Sequence, residues 1–259
     1  MRIALGVEYN GSQFHDWQSQ HNSIGIQSVV EKAVSGVANH TVNIICAGRT
    51  DTGVHATGQV VHFDTESVRT DQAWVLGSNT HLPPSITIPW ALHVSDDFHA
   101  RFSAKDRSYR YVIHNRIARG GIAGDLVTWW YKPLSIERMQ AAASYLIGEH
   151  DFSSFRAAEC QSRTAMREVF SIKVSRSADY VYVDIRANAF LHHMVRNIVG
   201  VLLEIGAGEK PSDWAYDVLQ MRDRRKAGIT APPNGLYLVK VTYPDEFDIP
   251  SPSSLPVFG

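Results

Sequence analysis

At 259 residues, with 44% hydrophobic and 20% charged side chains, the chain has a globular composition and can bury a full core as one large domain or two smaller ones. It holds no apolar run near the roughly 18 residues that a bilayer crossing needs, and its two cysteines, Cys46 and Cys160, make neither a disulfide framework nor a four-cysteine zinc site. The formal net charge of −1 hides an asymmetry: residues 1–100 carry 4 Lys+Arg against 9 Asp+Glu, and residues 101–259 carry 21 against 17.

Apolar side chains alternate at Ile3, Leu5 and Val7, which reads as a first strand without the apolar block and cleavage site of a signal peptide. A cytoplasmic protein is expected. Ile26, Val29, Val30, Ala33, Val34 and Val37 follow at helical spacing, with Ser23 as the N-cap. A strand at 42–46 (Val42, Ile44, Cys46), a strand through Val60, Val61 and Phe63, a helix over 70–77, and a strand through Ile86, Ile88 and Trp90 complete a β-α-β-β-α-β order. Tyr109–Ile113 reads as a strand before a Gly-rich stretch at 120–124, and a helix follows over 135–147. Strands are expected near 169–175 and at 180–188. Next come a strongly periodic helix from Leu191 through Leu202 to Gly206, a short helix near 213–224, and a last strand from Leu236 to Thr242. The tail from Pro244 is Pro- and Ser-rich and reads as irregular.

The expected fold is therefore α+β: two ferredoxin-like (RRM-like) halves, residues 1–104 and 105–259, sharing a mainly antiparallel sheet. Helices would pack on one face, with an active-site cleft between the halves.

One segment concentrates chemistry. Gly48-Arg49-Thr50-Asp51-Thr52-Gly53 sets a carboxylate between a guanidinium and a glycine where an alternating strand runs out. A rigid strand that ends in such a turn presents its Asp to a substrate; equally, Asp and Gly are common in turns that serve only as caps. Cationic residues bunch at Arg101, Lys105, Arg107, Arg110, Arg116 and Arg119, at Arg156, Arg163 and Arg167, and at Arg222, Arg224, Arg225 and Lys226. Any one cluster could be a solvated face, but clusters beside aromatic residues suit a polyphosphate partner. Tyr109 alternates with such guanidiniums along its strand, where it is either an ordinary strand residue or a platform for a flipped base. Arg196 lies at the edge of an apolar helix stripe, where it is either a packed surface residue or the counter-ion of a buried carboxylate. Adjacent His192 and His193 would not share a helix face, and His15, His55 and His62 lack metal-ligand spacing, so no metal is expected. A non-catalytic RNA-binding module and a metal-dependent hydrolase are the competing readings. The first leaves the central Asp without a purpose, and the second lacks suitable His spacing.

Gly48-Arg49-Thr50-Asp51-Thr52-Gly53-Val54-His55-Ala56 resembles the signature of the TruA-type tRNA pseudouridine synthases. So do Asp97-Phe98-His99-Ala100-Arg101-Phe102-Ser103-Ala104 with Tyr109-Arg110-Tyr111, Asp151-Phe152-Ser153-Ser154-Phe155-Arg156, His192 through Gly200, and Gly235-Leu236-Tyr237-Leu238. The matches keep the family's order along nearly the whole chain. Two positions depart: Asp16 stands where the family usually has Gly before Trp17-Gln18, and Thr52 replaces a common Ala. The resemblance implies isomerisation of uridine to pseudouridine in the tRNA anticodon stem-loop, around positions 38–40, by a homodimer without metal or cofactor. Asp51 matches the catalytic nucleophile, Tyr109 the tyrosine stacked on the flipped uridine, and Arg196 the arginine paired with that Asp. Arg49 and Arg101 would line the phosphate path, with further RNA contacts from Arg107, Arg110, Arg222 and Arg225.

Overall fold

The computed structural model describes residues 1–18, 24–251 and 255–259. In chain order its strands and α-helices are β1 (Arg2–Tyr9), α1 (Ile26–Ala38), β2 (Ile45–Cys46), β3 (His55–Asp64), α2 (Asp71–His81), β4 (Ile86–Thr87), β5 (Ala91–Val94), β6 (Asp106–Asn115), β7 (Thr128–Trp130), α3 (Ile136–Ser144), β8 (Gly148–Asp151), β9 (Met166–Ser177), β10 (Tyr180–Ala187), α4 (Met194–Gly206), α5 (Trp214–Met221) and β11 (Leu236–Thr242). Strand pairing is mostly antiparallel, and the architecture mixes sheet with five α-helices among the described residues. None of these helices is long and apolar enough to cross a membrane.

The chain forms two compact units, Met1–Asp106 with Tyr237–Leu255, and Arg107–Leu236 with Pro256–Gly259. In the first, the strand order is β4-β1-β3-β11, with β5 also on β1 and β2 on β3. β1 meets β3 antiparallel with Leu5 opposite Val61, and the register slips between Val7 and Tyr9, which leaves Tyr9 opposite Ala56. β11 joins β3 in parallel through Tyr237–His55 and Leu238–Ala56. The amphipathic α1 buries Ile26, Val30, Ala33 and Val34, and Trp74 of α2 packs edge-on against Phe63. In the second unit the order is β6-β10-β9-β8, with β7 on β6. Here α3 packs against β9 and α4, and α4 buries most of its circumference.

Local hydrogen bonds explain where elements differ from the periodicity. The strand expected at 42–46 is only Ile45–Cys46, because Ser35 and Glu31 of α1 accept the N–H groups of Val42 and Ile44. The strand expected through Ile86, Ile88 and Trp90 breaks into β4 and β5. Asn79 bonds both the N–H and the C=O of Ile88, and Pro89 has no N–H to offer a ladder. The helix expected from 70 runs on to His81, with Thr70 capping the N–H of Ala73. The cap of α1 is Gly25, while Ser23 lies outside the described residues. The helix expected from Leu191 starts only at Met194, since His193 sits in the left-handed region at φ 62°. The short helix expected to reach 224 ends at Met221, because Arg222 also turns left-handed, at φ 48°.

Asp16 shows what its position demands. It adopts φ 76°, a conformation free to glycine and strained for most side chains. Its own Oδ1 accepts the N–H of Trp17 at 2.9 Å, an Asx-type contact that suits Asp to a left-handed turn. Asp16→Ala, which keeps the strain and loses the acceptor, is expected to lower unfolding free energy by about 1–2 kcal/mol. Asp16→Gly exchanges that contact for freedom from strain and should change it by less than about 0.5 kcal/mol. Urea denaturation measures both, and equal losses would contradict the account.

His62 on β3 is almost fully buried, and burial pushes its pKa down to about 4, helped by the neighbouring His99 and Arg2 and opposed by Asp64. Its Nδ1 accepts the N–H of Ala100 at 3.1 Å, which requires the unprotonated nitrogen. The folded pKa lies below the ordinary value of 6.5, so the unfolded chain takes up the proton first. This contribution to stability is complete above pH 6.5 and is lost as pH falls toward 4. Thermal melting across that range should show a falling melting temperature. His62→Asn, whose amide oxygen accepts without titrating, should flatten the fall, and an unchanged slope would contradict the assignment.

Candidate active site

β2 ends at Cys46 and β3 begins at His55, and the loop between them carries Asp51. Ala47 still donates to Val60 across the strand pair, at 2.8 Å, so the loop leaves from a fixed point. Asp51 accepts the N–H of Val54 at 3.1 Å, closing a turn whose third residue, Gly53, has φ 78°. That position is open to glycine and strained for other residues. The turn is held from both sides. On one, the buried Thr50 hydroxyl meets the Tyr9 phenol at 2.7 Å, and the Thr50 carbonyl accepts the N–H of Trp17 at 3.0 Å. On the other, Gly11 donates its N–H to His55 Nδ1 at 3.0 Å and lies so close to Val54 that a Cβ would fall 1.9 Å from its carbonyl oxygen. The His55 ring in turn stacks on Tyr237, with centroids 4.7 Å apart. Asp51, half-buried, therefore stands on a turn with little freedom, which is how a reacting carboxylate is kept in position.

Arg49 and Arg101 belong to the same unit. Arg49 is exposed two residues before Asp51, and both guanidiniums act on the Cys46 thiol, whose pKa burial raises to about 11 against their pull. Two cations thus converge on the end of β2, beside the turn.

The other expected residues lie in the second unit. Tyr109 on β6 is 9% exposed and meets Phe190 edge-on, with ring centroids 5.0 Å apart. Arg196, in the first turn of α4, is half-buried and donates from Nε to the Ala231 carbonyl at 2.9 Å, while Ala231 returns its N–H to the Arg196 carbonyl at 3.1 Å. The guanidinium is anchored on its Nε side. Nearby, the phenol of Tyr111 is fully buried, bonded to Thr128 and to the Pro232 carbonyl; burial pushes its pKa up, partly offset by Thr128 and Arg196.

The cationic clusters divide by what they touch. Arg110 is committed to the fold: it pairs bidentately with Asp184 across β6–β10, at 2.7 and 2.9 Å, and lies over the Tyr182 ring. Arg107 donates to the Asn188 carbonyl. Arg225 is 89% exposed yet holds Asp223 bidentately, and that carboxyl falls to about 2 because of it. Arg222 is 67% exposed, with Asp151 at 3.6 Å. Arg224, between them in sequence, faces inward and ties together Asn197, Thr230 and the Gly228 carbonyl. His192 and His193 precede α4 and do not lie on it. The left-handed His193 brings their rings to 4.0 Å, a proximity that helix geometry excludes and a turn allows.

Sequence reasoning missed the residues that hold the site: Tyr9, Thr50, Gly11 and His55 around the Asp51 turn. Thr50 and His55 lie inside the Gly48–Ala56 motif, but nothing in linear order links them to Tyr9 and Gly11.

Comparison with known proteins bears on the family of the chain. The family model described as tRNA pseudouridine synthase matches residues 6–103 and 142–244. A protein of Shewanella amazonensis named tRNA pseudouridine synthase A is 57% identical over 258 residues, covering 100% of this chain and 99% of the relative. The protein of that name from Pseudoalteromonas atlantica is 55% identical over 258 residues, covering 100% and 98%. The one from Coxiella burnetii is 56% identical over 249 residues, covering 96% and 95%.

Proposed function

Because the chain belongs to the tRNA pseudouridine synthase family, we propose that it isomerises uridine to pseudouridine in the anticodon stem-loop of tRNA, around positions 38–40, with Asp51 as the carboxylate that starts the reaction. The observation that carries this reading is the turn itself: a half-buried Asp, fixed by Tyr9–Thr50 and Gly11–His55, inside the matched segment.

The chemistry asks for few groups. The C1′–N1 bond of the target uridine breaks, the uracil turns while held, and C5 bonds to C1′. The C5 proton is lost and N1 gains one, so atoms and electrons balance without a redox partner. An ionised Asp51 begins this by attacking C1′ or by taking a proton from the sugar. Tyr109 stacks on the extruded uracil and can relay the C5 proton. Arg196 pairs with Asp51 and keeps it ionised against desolvation. Arg49 and Arg101 receive phosphates, and Arg107, Arg110, Arg222 and Arg225 are further candidates along the RNA. Of these last, Arg110 and Arg225 hold carboxylates bidentately, and Arg222 has Asp151 at the longer distance of 3.6 Å.

The reading extends to architecture and setting. The order β1, α1, β2–β3, α2, β4–β5 supports a ferredoxin-like first half, and β6–β7, α3, β8–β9, β10, α4 is compatible with a second that has two added short strands. A cytoplasmic homodimer that works without metal or cofactor completes the proposal.

Asp51→Asn keeps the size and the turn of the side chain and removes its charge. It is expected to leave the Kd for tRNA within about twofold and to lower tritium release from C5-labelled uridine in tRNA by at least about a thousandfold. Substantial residual release would remove Asp51 from the reaction.

A further inference from the structure

The segment after β5 carries an exposed ring, Phe102, to which the proposed reaction assigns no part. Phe98 and Ala100 are fully buried, while Arg101 and Phe102, which follow them, are exposed, Phe102 at 77%. Single exposed apolar side chains are ordinary on protein surfaces. What distinguishes Phe102 is how firmly it is held. His99 Nδ1 accepts the backbone N–H groups of both Arg101 and Phe102, at 3.2 and 3.1 Å. The His99 N–H donates to the Ser103 hydroxyl at 2.9 Å, and Ser103 donates its N–H back to the His99 carbonyl at 2.9 Å. His62 Nδ1 takes the N–H of Ala100, and Tyr243 donates its phenol to the Ala100 carbonyl at 2.6 Å. The tip is thus a rigid turn whose backbone is pinned by two imidazoles acting as acceptors.

The rings continue the same column. Buried His62 lies 4.7 Å from His99, and His99 stacks on Phe102 with centroids 4.4 Å apart and planes 29° from parallel. Burial lowers the pKa of both imidazoles, in keeping with their acceptor role. One face of the Phe102 ring is therefore supported from within the fold. The Arg101 guanidinium lies 5.7 Å from the ring centroid and shares with Arg49 the neighbourhood of Cys46, at the strand end from which the Asp51 turn departs. A flat apolar ring with a guanidinium over it suits a nucleobase joined to a phosphate.

We propose that Phe102, stacked on His99, is a platform for an unpaired base of the tRNA other than the target uridine, and that Arg101 takes the phosphate next to that base. The inference rests on tRNA being the substrate and adds a second stacking position to the one proposed at Tyr109. His62 and His99 are positioning residues, which set the platform through the backbone of its turn.

Three chains decide it: the parent, Phe102→Ala and Phe102→Trp, each measured for thermal stability and for the Kd of an unmodified tRNA transcript by filter binding. Phe102→Ala should raise Kd about tenfold, within the range that base–aromatic stacking contributes. Phe102→Trp, which restores a flat ring, should bind like the parent, and all three should melt together because the ring is solvent-facing. An unchanged Kd for Phe102→Ala would overturn the proposal. So would equal losses in the Ala and Trp variants, or a fall in melting temperature that accompanies the loss. Failure of the isomerase reading is seen separately, as absence of pseudouridine in product made by the parent chain, whereas the platform is read from binding alone.

Discussion

The hydrogen bond between the Tyr9 phenol and the Thr50 hydroxyl is the constraint on which the site depends. It is buried, so water cannot replace either partner, and losing one would strand the other. Tyr9 is available for it because β1 slips register against β3 just before that residue. Gly11 then brings the chain against Val54 at a distance no side chain would permit, and His55 closes the far side. The β1 end, the 11–17 segment and the start of β3 are thereby locked around a single turn. The Asp that opens this turn needs little further ordering when a substrate arrives, which is where binding energy would otherwise be lost.

The same economy governs the cations. A net charge of −1 is an unpromising figure for a protein of RNA, and even the positive second part of the sequence owes several of its arginines to the fold. Arg110 holds Asp184, Arg224 knits together the Asn197 and Thr230 region, and Arg225 holds Asp223. Arg49 is exposed two residues before Asp51 and acts on the Cys46 thiol at the end of β2. Position counts for more than number in attracting a polyanion, because exposed charges are screened beyond about 10 Å while those at the reacting group are not. The acid-rich first part of the chain can therefore carry the reacting end of the proposed RNA contact.

Much of this was legible in the sequence, and the remainder has physical reasons for being hidden. Alternating apolar side chains marked β1, and helical spacing marked α1, which buries one face, and α4, which buries most of its circumference. The Asp51 motif and the resemblance built on it pointed to the family that the comparisons show. Side chains that capture backbone groups left no periodic trace: Glu31 and Ser35 shorten β2, and Asn79 splits β4 from β5. Left-handed residues such as Asp16, His193 and Arg222 are equally silent, since none is the glycine that would advertise the turn. Contacts between distant segments, Tyr9 with Thr50 and His62 with Ala100, are set by tertiary packing and have no linear signature. The return of β11 to pair in parallel with β3 belongs to the same class.

The central claim is that this chain converts uridine to pseudouridine in the anticodon arm. The most direct measurement is mass-spectrometric mapping of pseudouridine in unmodified tRNA after incubation with the purified protein. The account predicts new pseudouridine in the anticodon stem-loop, around positions 38–40, formed without added metal or cofactor. TRNA that emerges with no pseudouridine, or with pseudouridine only outside that arm, would contradict it.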